Sequence, residues 1–159
     1  MTPPNHLNSA TDVDTVIDLN ADLGETPGDL ALMRLVTSAN IACGGHAGDA
    51  STMRAALAAA IPHGVSVGAH PSYPDRAGFG RVELGMPFGE VAAHVVSQVT
   101  ALAGIAGDLG LLVSYVKLHG ALYHRAGRDR ACADSIIEGL MSVGVGPLAV
   151  LAQPASAAA

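Results

Sequence analysis

A chain of 159 residues, half of them apolar, has material for one domain with a substantial core, since about 68–70% of the unfolded surface is buried at this size. A formal net charge of −6 excludes the basic footprint that nucleic acid requires, and no run of Lys or Arg marks a membrane surface. Two cysteines, Cys43 and Cys132, are too few for a disulfide framework, which points to a reduced, cytoplasmic setting.

Residues 1–13 read as a disordered leader without the apolar segment of a signal peptide. Residues 14–152 read as the single domain. Thr15–Leu19 is β-branched and predicts a first strand. Pro27 and Asp29 then open a short helix, Asp29–Val36, with proline and a carboxylate at its positive end. Ser38–Cys43 predicts a second strand. Asp49 or Ser51 caps an alanine-rich helix that ends near Pro62–Gly64. Val65–Ala69 is a third strand, and Pro71–Pro87 a loop rich in Gly and Pro, long enough to be functional. A long helix runs from Pro87 to Leu109. Its apolar stretch is interrupted by His94, Gln98 and Asp108, so it fits a half-buried helix better than a membrane span. Leu112–Leu118 is a fourth strand, Ala131–Val143 a helix, and Leu148–Leu151 a fifth strand. Residues 153–159 are an Ala-rich tail. Strands alternating with helices call for a parallel sheet, either doubly wound or a piece of a barrel. With scarce aromatics and no Trp, its core is built from Ala, Val, Leu and Ile.

Asp22, His46 and His70 stand at equal intervals of twenty-four residues, about the length of a βα unit with a short helix. Each follows a short apolar run and falls among small residues. Successive strands would then each deliver one polar side chain at a C-terminal end, where parallel folds build their sites. A fourth strand adds Lys117 and His119 from VKLHGALYH. Taken singly, each has a plain structural reading: Asp22 can cap a turn, His46 can belong to a Gly-rich connection, and His70 is restricted by Pro71. Four such ends in series favour a shared site. One Asp and two His match a two-His-one-carboxylate metal site with open positions. In a reading without metal, Asp22 acts as general base and Lys117 stabilises a developing oxyanion. Asn20, Glu25 and Asn40 flank the same strand ends as substrate contacts, and Arg76 on the long loop could hold an anionic substrate. Cys43 reads as a buried small residue rather than a nucleophile. There is no G-x-G-x-x-G after the first strand and no G-x-x-x-x-G-K-[ST], so a dinucleotide site or P-loop is not expected.

The motifs IDLNADLGE, SANIACGGHAGD, GVSVGAHPSYPDRAGFGR and VKLHGALYH occur in this order and together resemble the LamB/YcsF family. That resemblance implies the seven-stranded β/α barrel of glycoside hydrolase/deacetylase-like proteins. It also implies the work of the A subunit of 5-oxoprolinase, the ATP-dependent ring opening of 5-oxoproline to glutamate with partner subunits B and C. It puts Asp22, His46 and His70 at a divalent metal (Zn, Mn, Mg or Ni) and Asp22, Lys117 and His119 at the chemistry. Two alternatives stand beside it. One is a metal-dependent deacetylase or carbohydrate hydrolase. The other is an inactive fragment acting only by association with its partner subunits. Family members run well beyond this length, so about five βα units and a C-terminally truncated barrel are expected, with low stability or closure by self-association into a homo-oligomer. The chain also departs from the family at Gly45, where Phe is common, and at Leu118, where Pro is common.

Overall fold

The computed structural model describes residues 17–142, 144, 146–154 and 157. Five parallel strands form one sheet in the order β1-β2-β3-β4-β5: β1 Asn20–Leu23, β2 Ser38–Ala42, β3 Ser66–His70, β4 Val113–Val116 and β5 Ala149–Val150. A 3₁₀ turn, Asp29–Arg34, joins β1 to β2. The other connections carry α1 (Ala50–Ala60), α2 (Phe88–Asp108) and the pair α3 (Gly120–Arg128) and α4 (Arg130–Met141). The strand order never reverses. Right-handed crossovers in an unreversed order place the helices on one face, whereas a doubly wound sheet needs a switch point. The architecture is therefore a barrel segment, one of the two expected outcomes.

The pleat sorts the residues. Leu23, Ile41, Val67, Ala69 and Val116 point to the helices and are buried with Met53, Ala56 and Leu57 of α1 and Val95, Val99 and Leu102 of α2 in one apolar layer. Residues between them on the same strands point to the opposite face, which is polar: Asn20 and Asp22, Ser38 and Asn40, Gly68 and His70, then Tyr115. Gly68 is required there, because a Cβ at this position would stand 2.2 Å from the Tyr115 ring. Helix α2 is long and apolar enough to cross a membrane by length and composition alone. Its buried stripe Val91, Val95, Val99, Leu102 and Ala106 follows the helical repeat and packs into the core.

Several boundaries differ from expectation for identifiable reasons. Residues 17–19 of the expected first strand carry no strand, Ile17 is exposed, and Thr15 and Val16 lie outside the described residues. The strand is instead Asn20–Leu23, because its pairing is made by polar inward residues: Asn20 opposes Ser38 and Asp22 opposes Asn40. Local β-propensity does not mark that pairing. The Asp29–Val36 helix is the shorter 3₁₀ turn, entered through Gly28 at φ 88°. Helix α3 was not expected, because Gly120, His124 and Gly127 dilute its pattern and only Leu122 and Ala126, one turn apart, are buried. Asp49, not Ser51, caps α1: its side chain accepts from the Ser51 and Thr52 amides, and Thr52 Oγ1 accepts from the Asp49 amide, a cap worth about 1 kcal/mol. The leader at residues 1–13, Val143 of the expected fourth helix, and residues 155, 156, 158 and 159 of the tail lie outside the described residues.

Candidate functional site

The polar face of the sheet is a connected hydrogen-bond ladder. Asn20 Nδ2 donates to Ser38 Oγ at 2.7 Å, to Tyr115 OH at 3.1 Å and to Asn40 Oδ1 at 3.2 Å. Asn40 Nδ2 donates to Asn20 Oδ1 and, at 2.6 Å, to Asp22 Oδ1. Lys117 Nζ donates to the same Asp22 oxygen at 2.7 Å. Asp22 Oδ2 stands 3.3 Å from His70 Nε2. The ladder climbs the strands from Tyr115 to the C-terminal edge, where it meets the histidines.

Glu25, His46, His70 and His119 form a cluster there. Glu25 Oε1 is 2.9 Å from His46 Nε2, 3.4 Å from His119 Nδ1 and 3.6 Å from His70 Nε2. His119 Nδ1 is 3.0 Å from His70 Nε2. A tetrahedral ion with bonds of about 2.0–2.1 Å has ligand–ligand edges of about 3.3–3.4 Å, close to these separations. The protonation pattern agrees. His70 Nδ1–H donates to the Lys117 carbonyl at 2.7 Å, and His119 Nε2–H donates to the Phe79 carbonyl at 2.9 Å. A carbonyl only accepts, so the other nitrogen of each neutral ring presents a lone pair. Two lone pairs and a carboxylate oxygen thus face one another, an arrangement of acceptors that fits a divalent cation. The His46 ring stacks on His119 at 3.6 Å, and its Nδ1 is buried with no hydrogen-bond partner among the described residues.

The electrostatics follow from this crowding. Burial pushes the Asp22 carboxyl up, but His70 when its ring is protonated, with the hydrogen bonds of Lys117 and Asn40, outweighs it and holds the group well below the usual carboxylate range. Burial likewise pushes Glu25 up, but the hydrogen bond of His46 and the charges of His46, His70 and His119 outweigh it, so its pKa is lowered. Burial first, then the neighbouring His46 and His70, push His119 down to about 4, against the opposing pull of the Phe79 carbonyl and Glu25. Between about pH 6.5 and 4 the unfolded chain therefore binds a proton that folded His119 refuses. Stability then rises with pH, and falls as pH drops through that window. Urea denaturation of chelator-treated protein should show roughly 2–3 kcal/mol less stability at the lower end of that window than at pH 7, at about 1.4 kcal/mol for each pH unit the window spans. His119→Phe should flatten this part of the profile; an unchanged profile would refute the assignment.

The structure brings Asp22, Glu25, His46, His70, Lys117 and His119 together at one sheet edge. Glu25, expected among the substrate contacts, lies at the centre of the cluster, carried there by the turn at Gly24 (φ 77°). Asp22 lies beside the cluster, shared between Lys117 and His70. The amides of Asn20 and Asn40 are engaged within the ladder. Arg76 Nη1 donates to the carbonyls of Gly44 and Gly48, tying the long loop to the connection after β2. It borders a cleft of about 350 Å³ that reaches Glu25 past Pro27, Asp49 and Thr52. Cys43 is buried, and burial pushes its thiol up to about 12, as befits an inert packing residue. Sequence reasoning missed Tyr115, Phe79 and Gln98. The period of two from Lys117 would have found Tyr115; nothing in the sequence marks the other two.

The sequence profile of the LamB/YcsF family matches residues 17–159. The chain is 51% identical over 133 residues to proteins named as the A subunit of 5-oxoprolinase from Bordetella pertussis and Bordetella parapertussis, covering 80% of this chain and 53% of each relative. It thus spans about half the length of the curated relatives it matches. The crystal structure of a lactam utilization protein from Thermus thermophilus superposes with a TM-score of 0.86 at 40% identity, over 91% of this chain and 60% of that one.

Proposed function

The chain belongs to the LamB/YcsF family, and on that premise we propose that it serves as the A-type component of a hydrolase that opens 5-oxoproline to glutamate with hydrolysis of ATP. Related names support the lactam substrate class and an enzyme built from several subunits, here taken as partners of the B and C type. The observation that carries the reading is the Asp22–Lys117 pair, at 2.7 Å, one contact from His70 on the C-terminal edge of the sheet.

Lactam ring opening is slow because amide resonance ties up the carbonyl. Phosphorylation of the carbonyl oxygen by ATP makes the carbon attackable by water. Water adds to that carbon, the C–N bond breaks as the ring nitrogen takes a proton, and the acyl phosphate so formed reacts with a second water to give the carboxylate and inorganic phosphate. Asp22, held ionised, accepts the proton of the attacking water. Lys117 presents its ammonium to the developing oxyanion. Asn40, backed by Asn20, fixes the Asp22 carboxylate; Glu25 and Arg76 border the cleft that would admit substrate. Held by Glu25, His46, His70 and His119, or by Asp22 with His46 and His70, a divalent ion would polarise a carbonyl and acidify water.

The test is a coupled assay of 5-oxoproline-dependent ATP hydrolysis with the partner subunits present; no stimulation by this chain defeats the proposal. The histidine cluster favours one second reading, metal-dependent deacetylation, which release of acetate from N-acetyl sugars without ATP would support. Metal binding has its own check. Calorimetric titration of chelator-treated protein with Zn²⁺, Mn²⁺, Mg²⁺ or Ni²⁺ should show one site, and His70→Ala should weaken it at least about tenfold, as loss of a ligand must exceed the loss of a supporting partner. Silence with all four ions would remove the metal.

A further inference from the structure

We infer that Phe79 is a positioning residue of the histidine cluster: its left-handed backbone aims its carbonyl at His119 Nε2 and so turns the bare His119 Nδ1 toward His70. Phe79 is the single non-glycine residue with positive φ among the described residues, at 54°. A bulky side chain rarely adopts that conformation, and such outliers persist only where surrounding structure imposes them. Here the imposing contacts are visible. The Phe79 amide donates to the Arg76 carbonyl, the Gly80 amide to the Asp75 carbonyl at 2.7 Å, and the Gly78 amide to Asp75 Oδ1 at 2.7 Å. The Gly80 carbonyl in turn accepts from the Ala121 amide at the start of α3, at 3.0 Å. The loop is fastened on both sides of Phe79, and what it holds out is the carbonyl that accepts the hydrogen bond from His119 Nε2–H.

The side chain adds to the effect. The Phe79 ring meets His46 and His119 edge-on, with centroids 5.2 and 5.5 Å away, and the Arg81 guanidinium lies over it at 5.3 Å. The next residue must be glycine, because a Cβ at Gly80 would stand 2.9 Å from His46 Cβ and 3.0 Å from His119 Cδ2. The loop backbone therefore lies directly against both rings. A shift at residue 79 has no slack to absorb it before His119 loses its acceptor and its fixed tautomer.

The inference rests on the reading of the cluster as a ligand set, but its first measurement needs no metal. Protein labelled with ¹⁵N-histidine and treated with chelator is examined at about pH 8, well above the ordinary histidine range, by long-range ¹H–¹⁵N correlation. The expected wild-type pattern has the His119 proton on Nε2. Phe79→Gly keeps both the carbonyl and the φ, and should keep that tautomer. Phe79→Val, β-branched and averse to positive φ, should yield a mixture and weaken Zn²⁺ binding by about 10–100-fold, the usual cost of losing a ligand's supporting partner. If the Val variant does not fold by circular dichroism, Phe79→Ala takes its place. A wild-type proton on Nδ1, or an unchanged tautomer in the Val or Ala variant, overturns the inference. The expected tautomers together with no metal binding in the wild type would leave the inference standing and remove the metal reading instead.

Discussion

On the proposed function, Lys117→Met should lower 5-oxoproline-dependent ATP hydrolysis with the partner subunits by about 10²–10³-fold, the range lost when a preorganised donor to a developing oxyanion is removed. The expectation follows from where the ammonium stands. It is 2.7 Å from Asp22 Oδ1, on the strand-end position beside His70, so its charge is held at the mouth of the site. Met preserves much of the apolar stem, so packing along the strand is largely retained and circular dichroism should match the wild type. Lys117→Arg is not a safe replacement, because a planar fork does not fit a point-charge position. Asp22→Asn should cost a comparable factor, since it removes the base while leaving a side chain able to engage Asn40. The pair shares one proton path, so the double variant should lose far less than the product of the two single losses. Activity within tenfold of wild type for Lys117→Met, in a folded protein, would exclude Lys117 from the chemistry.

The parts of this site that were legible in the sequence are those set by strand periodicity. Asp22, His46 and His70 follow apolar runs at equal spacing, and that pattern is a direct consequence of repeated βα units delivering side chains to one edge. Glu25 and His119 were visible as neighbours, yet their place at the centre was not, because it depends on the turns that follow the strands. Gly24 at φ 77° swings Glu25 back over the sheet, and spacing along a chain carries no information about such a reversal. The first strand was misplaced for a related reason. Its inward residues Asn20 and Asp22 are polar and find their partners on β2 and β4, so what stabilises the strand is tertiary pairing rather than local propensity. The Phe79 carbonyl was invisible altogether, since a backbone group at a loop position leaves no trace in residue identity.

Gly45→Phe should destabilise this protein by about 2–6 kcal/mol. The space an aromatic ring would take is filled here by a polar clamp. A Cβ at residue 45 would stand 2.4 Å from both Gln98 Oε1 and Ser72 Oγ. Gln98 Oε1 accepts from the Ser72 amide at 3.1 Å, and Gln98 Nε2 donates to the carbonyls of Ser72, at 2.8 Å, and His94. That carboxamide fastens the segment immediately after His70 to α2. Forcing a ring into the site costs about 1–3 kcal/mol as overpacking, and leaving the buried Ser72 amide without its acceptor costs about 1–3 kcal/mol more. Gln98→Ala alone should cost the second part only. The double variant Gly45→Phe with Gln98→Ala should be more stable than the sum of the two losses predicts by at least about 1 kcal/mol, because the ring then enters space the carboxamide has vacated. Urea denaturation of the four proteins measures that coupling. Additive losses would mean that Gln98 does not occupy the space the ring would take beside Ser72.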